Sequence, residues 1–281
     1  MEICDLHTHS IFSDGADTPT ELVSKAIKVG LKAVALTDHN TIAGLLEFTS
    51  AGKEKGIETI NGVEFSTNYK EKEVHVISLF IKEKYFSELT SILAKHEEYK
   101  EISNIRLVEG LNKLGYAVDY EKIKKTTPRN NVNRVQIANA LMEKGYVKSI
   151  KEAFDGVLSK EYGLYVEPQR LEAKEIIEYI TDIGAVSVLA HPFLNLEGQM
   201  LLDFIEEMKK VGLCALETNY STFSKEETLK AKGLADKYFL LYSGGSDYHG
   251  KNKPDIKLGI GKGDLVVPYE YLEKLKSKIR N

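Results

Sequence analysis

Short apolar runs rich in β-branched residues alternate along the chain with stretches whose apolar residues recur every three or four positions, which is the pattern of repeated β/α units. The runs predict strands over 2–6, 32–38, 57–64, 74–81, 185–190, 213–219 and 239–245. The helix after the first strand has marked ends. Thr18 can cap it, Pro19 suits its first turn, Glu21 completes a capping box and Gly30 stops it. About nine residues separate strand 57–64 from strand 74–81, too few for a crossover helix. An antiparallel hairpin is therefore expected, with Glu64 and His75 at the same end of the sheet.

Residues 84–165 break the rhythm: a long polar helical stretch is followed by two shorter helical patterns, one of them over 134–144, and by no clear strand. The β/α alternation then resumes. The expectation is an α/β barrel domain over 1–83 and 166–281, interrupted by a helical insertion over 84–165. A chain of 281 residues, 42% of them apolar, can bury one barrel-sized core of this kind.

A net charge of −4 gives no broad basic field, so tight sequence-independent binding to duplex DNA is not expected. Small phosphorylated molecules and short single strands stay open as partners. The two cysteines, Cys4 and Cys214, lie far apart and form no metal-binding or disulfide pattern, which points to a reducing compartment. The start, MEICDLHTHS, has no basic stretch before an apolar one, and no segment approaches the roughly 20 apolar residues of a membrane span. A cytoplasmic protein without membrane partners is expected, and the sequence carries no signal for an oligomeric state.

The histidines sharpen the picture. Six of the seven, His7, His9, His39, His75, His191 and His249, sit at or beside the end of a predicted strand, and only His96 lies on a helix. In β/α barrels such strand ends converge to build one site. Any one of these histidines has about even odds of being an ordinary hydrogen-bonded residue, but six placed alike predict a cluster. Imidazole with carboxylate suits Zn²⁺, Mn²⁺ or Fe²⁺, whereas an all-oxygen set would have pointed to Mg²⁺ or Ca²⁺. Asp14 lies in the loop FSDGAD among these segments. Glu64 ends an apolar run, where an unpaired carboxylate is costly unless a cation neutralises it. Asp38, beside His39, reads as an orienting partner or a helix cap.

Together the segments DLHTHSIFSDG, GLKAVALTDHNT, GVEFS, HVISLF, LAHPF and GGSDYHG, in that order, resemble the polymerase and histidinol phosphatase (PHP) family of metal-dependent phosphoesterases. The resemblance implies a distorted (β/α)₇ barrel and two or three divalent ions. His7, His9, Glu64 and Asp247 would hold one, Glu64, His75 and His191 a second, and Asp14, His39 and His249 a third. It implies hydrolysis of a phosphomonoester by a metal-bound hydroxide. The insertion is most similar to that of the subgroup that acts on nucleoside 3′,5′-bisphosphates and, in some members, on the 5′ ends of short RNA. That subgroup often carries a G-R-P-H-I-A-R-A-L type segment. Here the stretch keeps Arg134, as a substrate-phosphate ligand at a helix start, but has Gln136 and Asn139 in place of the histidine and second arginine. A histidinol-phosphate phosphatase is the alternative within the family. A non-catalytic module of a polymerase-type complex is the alternative outside catalysis, against which stands the full complement of nine ligand-type residues.

Overall fold

The structure, a computed structural model, describes residues 1–127 and 132–280. In chain order its elements are β1 Cys4–Asp5, α1 Pro19–Lys28, β2 Ala33–Leu36, α2 Leu45–Lys55, β3 Glu58–Tyr69, β4 Lys72–Leu79, α3 Phe86–Lys113, α4 Tyr120–Thr126, α5 Arg134–Glu143 and α6 Ile150–Asp155. There follow β5 Leu171–Glu172, α7 Ala173–Asp182, β6 Val186–Leu189, α8 Pro192–Asn195, α9 Gly198–Lys209, β7 Ala215–Tyr220, α10 Lys225–Lys237, β8 Leu241–Gly245 and α11 Tyr269–Lys276. Two compact units emerge, Met1–Ser91 with Leu171–Asn281, and Ile92–Arg170.

The first unit is a nearly closed barrel-shaped sheet of seven strands in the order β1-β2-β3-β4-β6-β7-β8, with the short β5 beside β3. All neighbours on this path run parallel except at β4, which is antiparallel to both β3 and β6. The ends nearly meet, because the Leu6 N–H donates to the Gly244 carbonyl at 3.1 Å and the Asp247 N–H to the His7 carbonyl at 2.8 Å. Alternate residues of successive strands, among them Cys4, Ala33, Ala35, Ile60, Ile77, Leu79, Val186 and Val188, fill one core, joined by Leu272 and Leu275 of α11. Helix α1 begins as its sequence demands, with the reciprocal Thr18–Glu21 capping box formed, and it buries Leu22, Val23 and Ala26.

The hairpin expected between Glu64 and His75 is present, but its turn is far tighter than a nine-residue loop. Strand β3 runs on to Tyr69, and only Lys70 and Glu71, at φ 49° and 65°, separate it from Lys72. Positive φ at both central residues is the backbone that matches the right-handed twist of the flanking strands. The polar run Ser66–Thr67–Asn68 stays extended because Thr67 and Tyr69 turn inward, opposite Val74 and Lys72, and because β5 pairs with Thr67 and Asn68.

The second unit is helical, with no strand among its described residues. Leu107, Val108 and Leu111 of α3, Ile123 of α4, Ile137, Ala138 and Leu141 of α5, and Ala153 of α6 form its core with Val118, Val132, Val157 and Leu158.

Candidate metal centre

Parallel strands bring their C-terminal ends to one end of the barrel unit, and the reversed β4 brings its start there. His7 and His9 follow β1, His39 follows β2, Glu64 lies within β3, His75 near the start of β4, His191 just after β6, and Asp247 and His249 after β8. Gly245, the last residue of β8, permits this convergence: a Cβ there would stand 2.3 Å from the Cβ of His7.

Glu64 is the hub. It is fully buried, and its Oε2 lies 3.1 Å from His7 Nε2, 3.3 Å from His9 Nε2 and 3.1 Å from His39 Nδ1. Its Oε1 lies 2.9 Å from His75 Nδ1 and 3.0 Å from His191 Nε2. Asp247 Oδ1 stands 3.2 Å from His9 Nε2 and 3.6 Å from His7 Nε2. Asp14 closes the other side, 3.1 Å from His249 Nε2, 3.7 Å from His9 Nδ1 and 3.9 Å from His39 Nε2. The nine residues singled out from the sequence thus lie in one cluster. Asp14, at 45% side-chain exposure, and His39, at 26%, mark its open side.

Burial opposes ionising Glu64, yet the imidazoles of His39, His7 and His75 outweigh it and hold the carboxyl well below the usual range. Burial likewise disfavours charge on His9 and His75, but the surrounding carboxylates win and raise them to about 9 and about 10. For His39 burial prevails, reinforced by the neighbouring His9 and His75 against the pull of Glu64, and pushes it down to about 3.

Several ligand-type atoms in this cluster lack a hydrogen-bond partner although buried: His9 Nε2, His39 Nδ1 and His249 Nε2. Buried polar atoms are normally paired, so three orphaned imidazole nitrogens beside carboxylates fit a cation better than they fit one another. Ligand atoms sharing one ion at about 2.0–2.2 Å from it stand no more than about 4.4 Å apart. Three groups come within 4.8 Å throughout, namely His9–Asp14–His39–His249, His7–His9–Glu64 and His39–Glu64–His75. Glu64 and two of the histidines belong to more than one group, as a shared ligand would. The sets implied by the family resemblance differ slightly, because geometry also draws His9 toward Asp14 and His39 toward Glu64.

Around this cluster stand residues that the sequence reading passed over. Buried Glu217 of β7 holds His7 Nδ1 at 3.0 Å and accepts the His191 backbone N–H at 2.7 Å. Occupying Nδ1 of His7 leaves Nε2 free to face the cluster. The Tyr220 hydroxyl and the Lys253 ammonium both donate to Asp247 Oδ2 at 2.9 Å, turning Oδ1 inward. Burial, followed by the Asp247 charge, raises the Tyr220 hydroxyl, which keeps it a donor. Asp5 accepts the N–H groups of Ser246 and Gly259, each at 2.8 Å, tying the β8 loop to β1. The signal was available: Glu217 is a carboxylate inside an apolar strand, as Glu64 is. The Asp38 carboxylate is directed to Ser10 and Ser13, and helix α2, which follows, has no side-chain cap. Asp38 accepts the Ser10 N–H and hydroxyl and the Ser13 hydroxyl at 2.6–2.7 Å, fixing the loop that carries His9 and Asp14. Asp247 and His191 hold φ of 55° and 25°, strained for side-chain-bearing residues and found here within the cluster.

Arg134 belongs to the helical unit, as the first residue of α5. Its guanidinium lies 3.9 Å from the ring centre of Tyr165 and 5.1 Å from that of Phe154, and donates to the Leu158 carbonyl at 3.4 Å. The helix start itself is less open than the sequence suggested. Asn133 takes the Val135 N–H and Gln136 returns its side chain to the Asn133 N–H at 3.0 Å, so Gln136, the departure from the subgroup pattern, completes a capping box. Among the described residues no helix is long and apolar enough to cross a membrane.

Comparison with known proteins follows the same line. The model of the PHP domain matches residues 5–182. The chain is 32% identical to a 5′-3′ exoribonuclease of Haemophilus influenzae, covering 87% of this chain and 89% of the relative. It is 27% identical to a phosphoribosyl 1,2-cyclic phosphate 1,2-diphosphodiesterase of Eggerthella lenta (88% and 94%) and 29% identical to a 3′,5′-nucleoside bisphosphate phosphatase of Chromobacterium violaceum (89% and 88%). A metal-dependent phosphoesterase structure from Bifidobacterium adolescentis superposes with a TM-score of 0.82 at 28% identity, over 100% of this chain and 97% of that one.

Proposed function

Since this chain belongs to the PHP domain family and is a metal-dependent phosphoesterase, we propose that it removes a terminal phosphate from a small nucleotide, a nucleoside 3′,5′-bisphosphate in the first place and short RNA 5′ ends in the second. The observation that carries this reading is the cluster around Glu64, whose two oxygens face five imidazoles. His7, His9, Asp14, His39, Glu64, His75, His191, Asp247 and His249 are the proposed ligands of two or three ions, drawn from Mn²⁺, Zn²⁺ and Fe²⁺ by the mixed nitrogen and oxygen donors. Bound there, such ions supply an acidified water and a positive field for phosphate oxygens.

The chain's own residues do the rest. Glu217, Tyr220 and Lys253 hold His7 and Asp247 in their ligating orientation. The partly exposed Asp14 and His39 flank the opening by which a phosphate enters. No side chain in the cluster is placed as an attacking nucleophile, which is in keeping with direct attack by water. Arg134, flattened against two aromatic rings, presents a pre-set guanidinium fork suited to a second phosphate.

Phosphate release from a panel tests the proposal, using nucleoside 3′,5′-bisphosphates, mononucleotides, 5′-phosphorylated oligoribonucleotides, a ribose 1,2-cyclic phosphate and histidinol phosphate with Mn²⁺ added. The bisphosphate should give the highest kcat/KM. A clear preference for the cyclic ester or for histidinol phosphate would overturn the substrate assignment.

A further inference from the structure

A second concavity of about 470 Å³ lies on the barrel unit, and none of its walls is one of the nine cluster residues. It is bounded by the end of α1, by the loop after β8 and by the segment through Ile260. Its size falls within the range of small-ligand sites. Two kinds of surface meet there. The floor is apolar, with Ile256 and Leu258 buried and Ile260 left 39% exposed. The rim carries four lysines and no carboxylate.

The lysines are not equivalent. Lys25 is spoken for, with its ammonium 2.7 Å from both oxygens of Asp17 and 3.1 Å from the Tyr248 hydroxyl. Lys28, Lys251 and Lys257 have no ion pair among the described residues. Lys28 sits in the last turn of α1, where a cation also complements the helix dipole, but Lys251 and Lys257 come from a different segment and have no such employment. Three unpaired ammonium groups over an apolar floor that Ile260 leaves partly open call for a ligand with a dianionic end and a flat apolar body.

We propose that this cavity is a second ligand site, binding a nucleoside monophosphate with its phosphate between Lys28, Lys251 and Lys257 and its base against Ile256, Leu258 and Ile260. Only the choice of a nucleoside over another aromatic phosphate ester rests on the function proposed above; the cavity and its charges do not. The site adjoins the metal centre through the chain itself. Tyr248, part of its wall, stands between Asp247 and His249, and its carbonyl accepts the His9 N–H at 2.9 Å.

Equilibrium dialysis of a radiolabelled, non-hydrolysable phosphonate analogue of adenosine 5′-monophosphate against the metal-loaded full chain tests this. The wild type should bind one more equivalent than Lys28→Glu/Lys257→Glu, while both hydrolyse p-nitrophenyl phosphate at the same kcat. The neutral pair Lys28→Gln/Lys257→Gln should weaken that extra equivalent by about tenfold or more, as expected for lost charge-assisted contacts. Inorganic phosphate, which cannot use the apolar floor, should displace it at least about tenfold less well than the unlabelled phosphonate analogue. Equal stoichiometry in wild type and variants would overturn the site, and equal competition by phosphate would overturn its assignment to nucleotides. Failure of the wild type to hydrolyse any phosphomonoester would remove the proposed function and leave the dialysis result standing.

Discussion

The two units bury different things. In the barrel unit the buried polar residues include His7, His9, Glu64, Glu217, Asp247 and His249, and they face one another. In the helical unit the core cluster is hydrocarbon, and buried polar side chains such as Asn104 and Thr127 serve the backbone: Asn104 donates to the Val132 carbonyl at 3.0 Å and Thr127 to the Ile123 carbonyl at 2.8 Å. The difference separates two jobs. Buried charges cost several kcal/mol each unless paired or neutralised, so a fold that gathers them at one end spends stability on chemistry there. A unit filled with leucine and isoleucine can vary its surface at little cost, which suits it to setting specificity.

That contrast can be broken most sharply at its hub. Glu64→Ala should lower kcat by about 10³-fold or more for every phosphoester, because it removes the carboxylate shared between ligand groups. Circular dichroism and kinetics at saturating Mn²⁺ decide it, and near-normal kcat in a folded variant would take Glu64 out of the site. Acid should act on the same cluster. With His9 raised to about 9 and His75 to about 10, the metal-free cluster holds protons at neutral pH that an incoming ion must displace. Mn²⁺ affinity should therefore rise with pH, by about tenfold per unit between pH 6 and 8 for each proton released. Calorimetric titrations in buffers of different ionisation enthalpy would count those protons, and a pH-independent affinity would contradict the reading.

Smaller effects probe the supports. Glu217→Gln keeps the shape of the group that holds His7 but removes its charge, and should cost about 10–100-fold in metal affinity or activity. In the helical unit, Arg134→Ala should raise KM for a bisphosphorylated substrate by about 1.5–3 kcal/mol while leaving kcat near normal, with a lesser effect on a monophosphate. An unchanged KM for both would assign Arg134 to packing against Tyr165 and Phe154 alone. Smallest of all, Thr18→Ala should lower thermal stability by about 1 kcal/mol through loss of the α1 cap, with hydrolysis unaffected.

Local chemistry was the legible part of the sequence. The Thr18–Glu21 box and the antiparallel partnership of β3 and β4 follow from residue type and spacing, and six histidines at predicted strand ends were enough to expect their convergence. What escaped depends on neighbours distant in sequence. β5 is two residues long and exists because it finds the edge of β3 at Thr67 and Asn68. The extension of β3 to Tyr69 rests on pairing with β4 rather than on the polarity of Ser66 and Asn68. Tyr220 and Lys253 gain meaning only when the β7 and β8 ends bring them to Asp247, and Gln136 reads as a lost histidine until its hydrogen bond to the start of α5 is seen.

The long reach of the contacts within the cluster sets the order in which this protein can assemble. His191 meets Glu64 across 127 residues of chain, Glu217 meets His7 across 210, and Ser246 meets Asp5 across 241. Closing loops of such length must precede any reward from the contacts they bring, which makes non-local sheets slow to form. On a ribosome the hairpin and the helical unit are complete before β6 to β8 exist, so an inserted unit that folds early shortens the effective loop between β4 and β6. Six of the nine cluster residues then wait for His191, Asp247 and His249. Two of the three close groups, His7–His9–Glu64 and His39–Glu64–His75, are complete in the chain by residue 75, whereas Asp247 and His249 join only after the last strand.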